Sequence, residues 1–219
     1  MKRIITLLVL FYFLSIDNLV AQQIVVEIGN TQTKFDYKTS TGLGLDNIYS
    51  ENHFNYLLGY RYTLSERFFI SGNIVWNRYA AFASDPVYDN QYKWDTRYLG
   101  IGIGFDFEFI KINKFSFIAK IAAEPQFLIK GTQTINNQVY NLKGIEQFDN
   151  PFLFLRGGLG VNYCADANLA FSVRYMYGKG LPMGKSEDGE QLNIISSSIS
   201  IGLLISINKC NYCYTKHFN

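Results

Sequence analysis

Between Ile24 and Ile207 the sequence alternates apolar and polar side chains in eight segments, and the connections between them run long, short, long, short. A period of two marks strands, because successive side chains leave opposite faces of the backbone. It predicts strands over 24–36, 54–64, 67–79, 94–110, 114–130, 151–164, 168–178 and 193–207. Ser65-Glu66, Lys111-Ile112-Asn113 and Ala165-Asp166-Ala167 are tight turns, whereas the joins at 37–53, 80–93, 131–150 and 179–192 are long and polar. An even number of sequentially paired strands with two unlike ends closes into an up-and-down barrel with both termini on the tight-turn side. Alternation alone allows the apolar face to point inward, as in water-soluble lipocalin-like barrels, or outward to lipid.

Residue identity on the two faces decides between them. In the fourth strand Leu99, Ile101, Ile103, Phe105, Phe107 and Phe109 share one face, and Gly100, Gly102, Gly104, Asp106 and Glu108 the other. In the eighth, Ile199, Ile201, Leu203, Ile205 and Ile207 oppose Ser196, Ser198, Ser200, Gly202 and Ser206. A water-facing surface carries long Lys and Glu side chains; rows of Gly and Ser suit a narrow interior in which small residues leave room for large ones. The chain is therefore read as all-β, an eight-stranded antiparallel up-and-down transmembrane β-barrel.

Aromatic residues on the apolar face fall into two bands. Tyr62, Phe68, Phe107, Phe109, Phe115, Phe117, Tyr163 and Phe171 flank the tight turns; Phe54, Tyr56, Trp76, Phe127, Tyr175 and Tyr177 lie toward the other end. Aliphatic residues such as Leu58, Ile74, Ile101, Ile121, Leu159 and Val173 lie between them. This is the pattern expected of aromatic girdles at two membrane interfaces.

The first residues fit export. Lys2-Arg3, an apolar run from Ile4 to Leu14, and Leu19-Val20-Ala21 before Gln22-Gln23 form the pattern of a cleavable secretory signal over residues 1–21. The run is too short to span a bilayer as a helix. A barrel domain over 22–208 and a periplasmic tail over 209–219 complete the expected organisation. Removing Lys2 and Arg3 from the 20 basic residues and Asp17 from the 18 acidic ones lowers the formal charge from +2 to +1, so the mature chain gives no reason to expect nucleic acid as a partner.

The polar face carries Glu27, Arg61, Asp106, Glu108, Lys120, Glu124, Arg156 and Arg174, four acids against four bases. Charges confined to an interior need partners. Counting from the tight turns puts Asp106 level with Lys120 and Glu124 level with Arg156, and suggests a Glu27–Arg61 pair. The expectation is a salt-bridged lumen plugged by side chains, with Glu27 and Glu108 alternatively facing water at the barrel ends.

With its leading signal, long-short joins, and the segments Phe54-Asn55-Tyr56-Leu57-Leu58-Gly59-Tyr60-Arg61 and Tyr98-Leu99-Gly100-Ile101-Gly102-Ile103-Gly104, the chain resembles the small outer-membrane β-barrel proteins of Gram-negative bacteria. The resemblance covers the whole mature chain and implies integral outer-membrane residence, lipid contact, and assembly by the barrel-assembly machinery. Members include structural barrels, adhesins and a few lipid-modifying enzymes. Many end their last strand on an aromatic used in assembly; here that strand ends near Ile207, and Phe218 lies in the tail.

The tail holds Cys210 and Cys213, and Cys164 closes the sixth strand at the same end. An oxidising compartment allows a Cys210–Cys213 disulfide, a bridge from Cys164 to either tail cysteine, or free thiols. One C-x-x-C with His217 falls short of a metal site, and no cofactor motif is present. For catalysis the only other histidine is His53, with Ser50 and Ser186 as distant hydroxyl candidates and no nucleophile motif, so no catalytic residues are assigned. Tyr37, Tyr49, Tyr88, Tyr92 and Tyr140 in the long joins suit contacts with an extracellular protein or glycan. The expected function is a structural or surface-interaction barrel; a small-solute channel or transport accessory is the alternative, and a lipid-modifying enzyme the third.

Overall fold

A computed structural model of the chain describes residues 22–38, 48–85, 90–184 and 189–207. Its elements are β1 (Gln22–Lys38), β2 (Ile48–Thr63), β3 (Phe68–Asp85), β4 (Asn90–Ile112), β5 (Phe115–Ile135), β6 (Gln138–Asn141), the single-turn helix α1 (Glu146–Asp149), β7 (Phe152–Cys164), β8 (Leu169–Pro182) and β9 (Gln191–Ser206). Eight strands pair antiparallel in the order β4-β3-β2-β1-β9-β8-β7-β5, and β4 pairs with β5 to close the ring. Closure leaves no edge strand within the barrel. The ninth strand, β6, pairs among the described residues only with the upper end of β5.

The tight turns are set by local chemistry. At Asn113 the backbone enters the left-handed region, φ 53°, so that β4 can reverse into β5 through Asn113-Lys114. Asn tolerates that region better than other non-glycine residues. At the opposite end the strands run farther than the alternation predicts. β3 and β4 stay paired up to Asp85 and Asn90, so most of the expected 80–93 join is hairpin. The 131–150 join is also built: β5 continues to Ile135, Asn136 and Asn137 both take positive φ, and β6 returns as a hairpin before α1. Two consecutive left-handed residues are the requirement of a type I′ turn, and Asn-Asn supplies them.

The barrel wall divides into two levels. In the lower one, nearer the tight turns, outward side chains are apolar and inward ones polar. Ile101, Ile103, Phe105 and Phe107 are exposed, while Gly104 and Asp106 are buried. Above the level of Trp76 and Leu99 the sense reverses. Arg78, Asp95, Lys93 and Lys34 occupy the outer face, and Tyr79, Ala81, Ala83, Phe35, Leu192 and Ile194 are buried inside. The upper level is thus a β-barrel head with an ordinary apolar core.

Candidate functional site

The charged side chains of the lower interior form two clusters. In the first, Asp106 lies between Arg61 at 3.0 Å and Lys120 at 3.3 Å, and Arg61 also donates to Gln23 Oε1 at 3.1 Å. Arg61 covers the ring of Phe69 at 3.7 Å. Glu27 pairs with Arg174 and accepts a hydrogen bond from Ser200 Oγ at 3.3 Å. In the second cluster Arg156 donates from Nε to Glu124 at 2.9 Å, from Nη2 to the Tyr79 hydroxyl at 2.7 Å, and from Nη1 to Ser196 Oγ at 3.2 Å. Tyr79 in turn donates to Gln126, and Gln126 to Glu124. Every one of these charged groups is buried.

Two expectations are corrected by the geometry. Glu27 lies opposite Leu57, and Arg61 opposite Gln23, four residues nearer the tight turns. Those four residues span about 13 Å along a strand, so Glu27 and Arg61 do not pair; each instead crosses to a strand that is not its neighbour. Glu108 is buried beside an irregularity in the β4–β5 ladder and joins no ion pair among the described residues.

Glycines open the room these side chains occupy. A Cβ on Gly102 would stand 2.6 Å from Glu124 Cγ, and one on Gly178 2.6 Å from Arg156 Cγ. Long charged residues therefore lie flat over glycines of adjoining strands. Between the clusters remains a cavity of about 40 Å³ bordered by Glu27, Lys120, Glu124, Arg156 and Arg174. That is space for a few waters on the scale of about 10–15 Å³ each.

Both ends of this polar layer are closed by apolar side chains. Below, Val25, Phe69, Cys164, Ala170 and Leu204 form one cluster. Above, Phe35, Tyr79, Tyr98, Leu128, Phe152, Phe154 and Ile194 pack with Leu142 and Phe148 from the 131–151 segment. Phe148 lies 6.2 Å from the Phe35 ring, and the Tyr98 hydroxyl donates to the Phe148 carbonyl at 2.9 Å. The sequence reading missed this plug. Its signals were Asn136-Asn137 and the spacing of Leu142 and Phe148 within an otherwise polar join.

On the outer face Phe68 stacks on Phe107 at 4.8 Å, Phe109 neighbours Phe117, and Phe115 meets Tyr163 at 5.0 Å; Tyr62 and Phe171 complete the band nearest the tight turns. At the other end of the apolar belt Trp76 stacks on Tyr56 at 5.6 Å, and Tyr175 and Tyr177 stand exposed on β8. Above the belt Arg78 donates two hydrogen bonds of 2.7 Å to Asp95. Glu51 is held by Lys93 at 3.0 Å and by His53 Nε2 at 3.2 Å. Burial opposes ionisation of Glu51 and Asp95, yet the hydrogen bonds from Lys93 and His53, and from Arg78, outweigh it and keep both carboxyls below their ordinary range.

Of the loop tyrosines, Tyr49 and Tyr140 are exposed, whereas Tyr37 and Tyr92 pack against the upper core; Tyr88 and Ser186 lie outside the described residues. Cys164 is disulfide-bonded, so it is not a free thiol. Cys210, Cys213, His217 and residues 1–21, expected to be the export signal, lie outside the described residues, which contain no group of residues suited to a metal ion.

No family model and no curated protein matches the sequence. Solved structures do match. The outer membrane protein OprG from Pseudomonas aeruginosa gives a TM-score of 0.51 at 13% identity, covering 86% of this chain and 96% of that one. Neisserial surface protein A gives 0.49 at 12%, covering 84% and 97%. Ail of Yersinia pestis, in complex with the heparin analogue sucrose octasulfate, gives 0.47 at 16%, covering 86% and 99%. The closed eight-stranded ring and the match to OprG show one fold, that of the small outer-membrane β-barrels.

Proposed function

We propose that this chain is an integral outer-membrane protein acting at its outer surface, a structural or surface-interaction barrel with a closed lumen. The observation that carries this reading is the packed interior: an apolar plug lies above an ion-paired layer that borders a cavity of about 40 Å³. With the lumen filled, what remains for interaction is the exterior of the head, where Tyr49, Val139, Tyr140 and Met183 are exposed. Exposed aromatic and flexible apolar side chains amid polar neighbours suit an extracellular protein or glycan. In this reading residues 1–21 direct export and are removed, the barrel-assembly machinery inserts the strands, and the two aromatic bands lie at the lipid interfaces.

A small-solute channel would need a continuous path, and the plug formed by Leu142 and Phe148 stands across it. A lipid-modifying enzyme would need a base aimed at a nucleophile, whereas His53 Nε2 is turned to Glu51. The test is planar-bilayer recording of the refolded full barrel, with membrane fractionation and gel mobility before and after boiling to establish insertion. The expected result is membrane residence without steady conductance. A large, steady ion current overturns the closed-lumen reading, and extraction without detergent overturns membrane residence.

A further inference from the structure

The outer face changes chemistry just above the upper aromatic band. Arg78 follows Trp76 by two residues on β3, and Arg97 precedes Leu99 by two on β4. The ladders set Arg78 directly opposite Arg97, and Arg97 directly opposite Lys130 on β5. Lys130 reaches this row through an irregularity. Tyr98 pairs with Leu128 while Arg97 pairs with Lys130, leaving Ile129 as an extra residue. Leu128 points inward and is buried, whereas Ile129 and Lys130 are both exposed. Unbroken alternation would turn Lys130 toward the apolar core of the head; bulges commonly re-aim a side chain in this way.

Like charges directly opposite each other destabilise a sheet, and this row carries three cations. Asp95 is the carboxylate bound to it, engaged by Arg78 through both oxygens; Glu51 also acts on Arg78, but its charge is matched by Lys93 at 3.0 Å. Arg97 and Lys130 form no ion pair among the described residues, so the row has a surplus of two positive charges. Directly below it Trp76, Leu99 and Phe127 are about half exposed and form an apolar shelf. A ligand complementary to both parts carries compact negative charge at one end and hydrocarbon at the other. Guanidinium forks suit phosphate oxygens in geometry as well as charge. Elsewhere at this level Lys34 and Lys179 each lie opposite the aliphatic Ile195 rather than another cation, so they do not form such a row.

We infer that Arg78, Arg97 and Lys130 dock the phosphate of a phosphorylated membrane lipid in the leaflet at the long-loop end, with its acyl chains against Trp76, Leu99 and Phe127. The inference rests on the membrane reading above. It adds a defined lipid site to a belt that otherwise contacts lipid without selectivity.

Brominated-lipid quenching tests it, because Trp76 adjoins the site and Trp94 is the chain's only other tryptophan. The full barrel carrying Trp94→Phe is reconstituted in phosphatidylcholine vesicles containing either brominated phosphatidylcholine or brominated phosphatidic acid. Quenching by brominated phosphatidylcholine reports insertion itself; its absence would fail the membrane reading, separately from lipid selectivity. The expected result is a preference of Trp76 for phosphatidic acid on the order of fivefold or more, from the attraction of basic side chains for anionic headgroups. Arg97→Gln with Lys130→Gln should bring it close to one, Lys179→Gln should leave it unchanged, and millimolar inorganic phosphate should not abolish it. Should the double variant fail to fold, Lys130→Gln alone is read in the same way. Equal quenching by the two lipids, or a preference that survives these substitutions, overturns the proposal. A preference abolished by soluble phosphate also overturns it, in favour of a site for the free ion.

Discussion

The lower barrel and its head are made from the same strands, yet they solve opposite solvent problems. On β3, Ile74 and Trp76 point outward below while Asn73 and Asn77 point in; a few residues farther along, Arg78 points outward while Tyr79 and Ala81 point in. The strand runs on across the boundary; the chemical sense of its two faces reverses. Below, the interior is held by hydrogen-bonded charges over glycines, an arrangement that depends on every partner being present. Above, aromatic and aliphatic packing does the same work without directional partners. The difference teaches that a period of two specifies a barrel wall, while the identities at each level specify what surrounds it.

The largest effect that would break this contrast lies in the lower layer. Arg156→Leu removes the partner of Glu124 and the donor to Tyr79 while keeping an apolar side chain in place. Removing one member of a buried ion pair costs about 3–5 kcal/mol. Urea unfolding of the refolded barrel should show that loss. Adding Glu124→Leu should recover most of it, since a buried pair replaced by well-packed hydrophobic residues is often neutral or better. If the double variant is as unstable as the single one, pairing is not what the middle layer depends on, and the contrast between the two interiors weakens.

A smaller and more local loss is expected in the head. Phe148→Ala removes a buried ring from a one-turn helix that contacts Phe35, and truncating a buried Phe costs about 3 kcal/mol or somewhat more. The Tyr98 hydrogen bond to the Phe148 carbonyl is a backbone contact and survives the change. Hydrogen exchange and proteolysis over residues 136–151 should therefore accelerate, while the unfolding midpoint of the lower barrel stays put. A shift of that midpoint as large as that of Arg156→Leu would mean that the two levels unfold as one unit.

How much of this could be read from the sequence follows from the range of each interaction. Strands and faces were legible because they depend on neighbours two residues apart, and the Gly100, Gly102 and Gly104 row already implied room inside. Asp106 with Lys120, and Glu124 with Arg156, lie on adjoining strands, where counting residues from a turn gives depth. Arg61 with Asp106, and Glu27 with Arg174, skip a strand and cross a narrow lumen. Nothing in a single hairpin encodes such a crossing; it depends on closure of the ring and on the reach of an arginine. The head was legible least. Leu142 and Phe148 form too short an apolar pattern to announce a plug, and the long joins looked polar because the outer face of the head is polar.

The smallest effect concerns pH and separates the levels by their access to water. Glu51 and Asp95 sit on the head, and their carboxyls are held below the ordinary range in the folded protein. A lowered folded-state pKa means that the folded state binds fewer protons than the unfolded one, so the stabilisation is complete above the ordinary carboxylate range. It is lost as pH falls through the lowered value. Both ion pairs are partly exposed, so each contributes only a fraction of a kcal/mol. Between pH 7 and 5 hydrogen exchange in the upper parts of β2, β3 and β4 should stay unchanged after correction for the intrinsic rate. Below about pH 4 those segments should loosen modestly. Glu51→Gln with Asp95→Asn should show the looser behaviour at neutral pH already and lose most of its acid dependence. Acid loosening that persists in that variant would place the responsive carboxylates elsewhere, and the charged exterior of the head would then be a solvated surface with no part in holding the hairpin together.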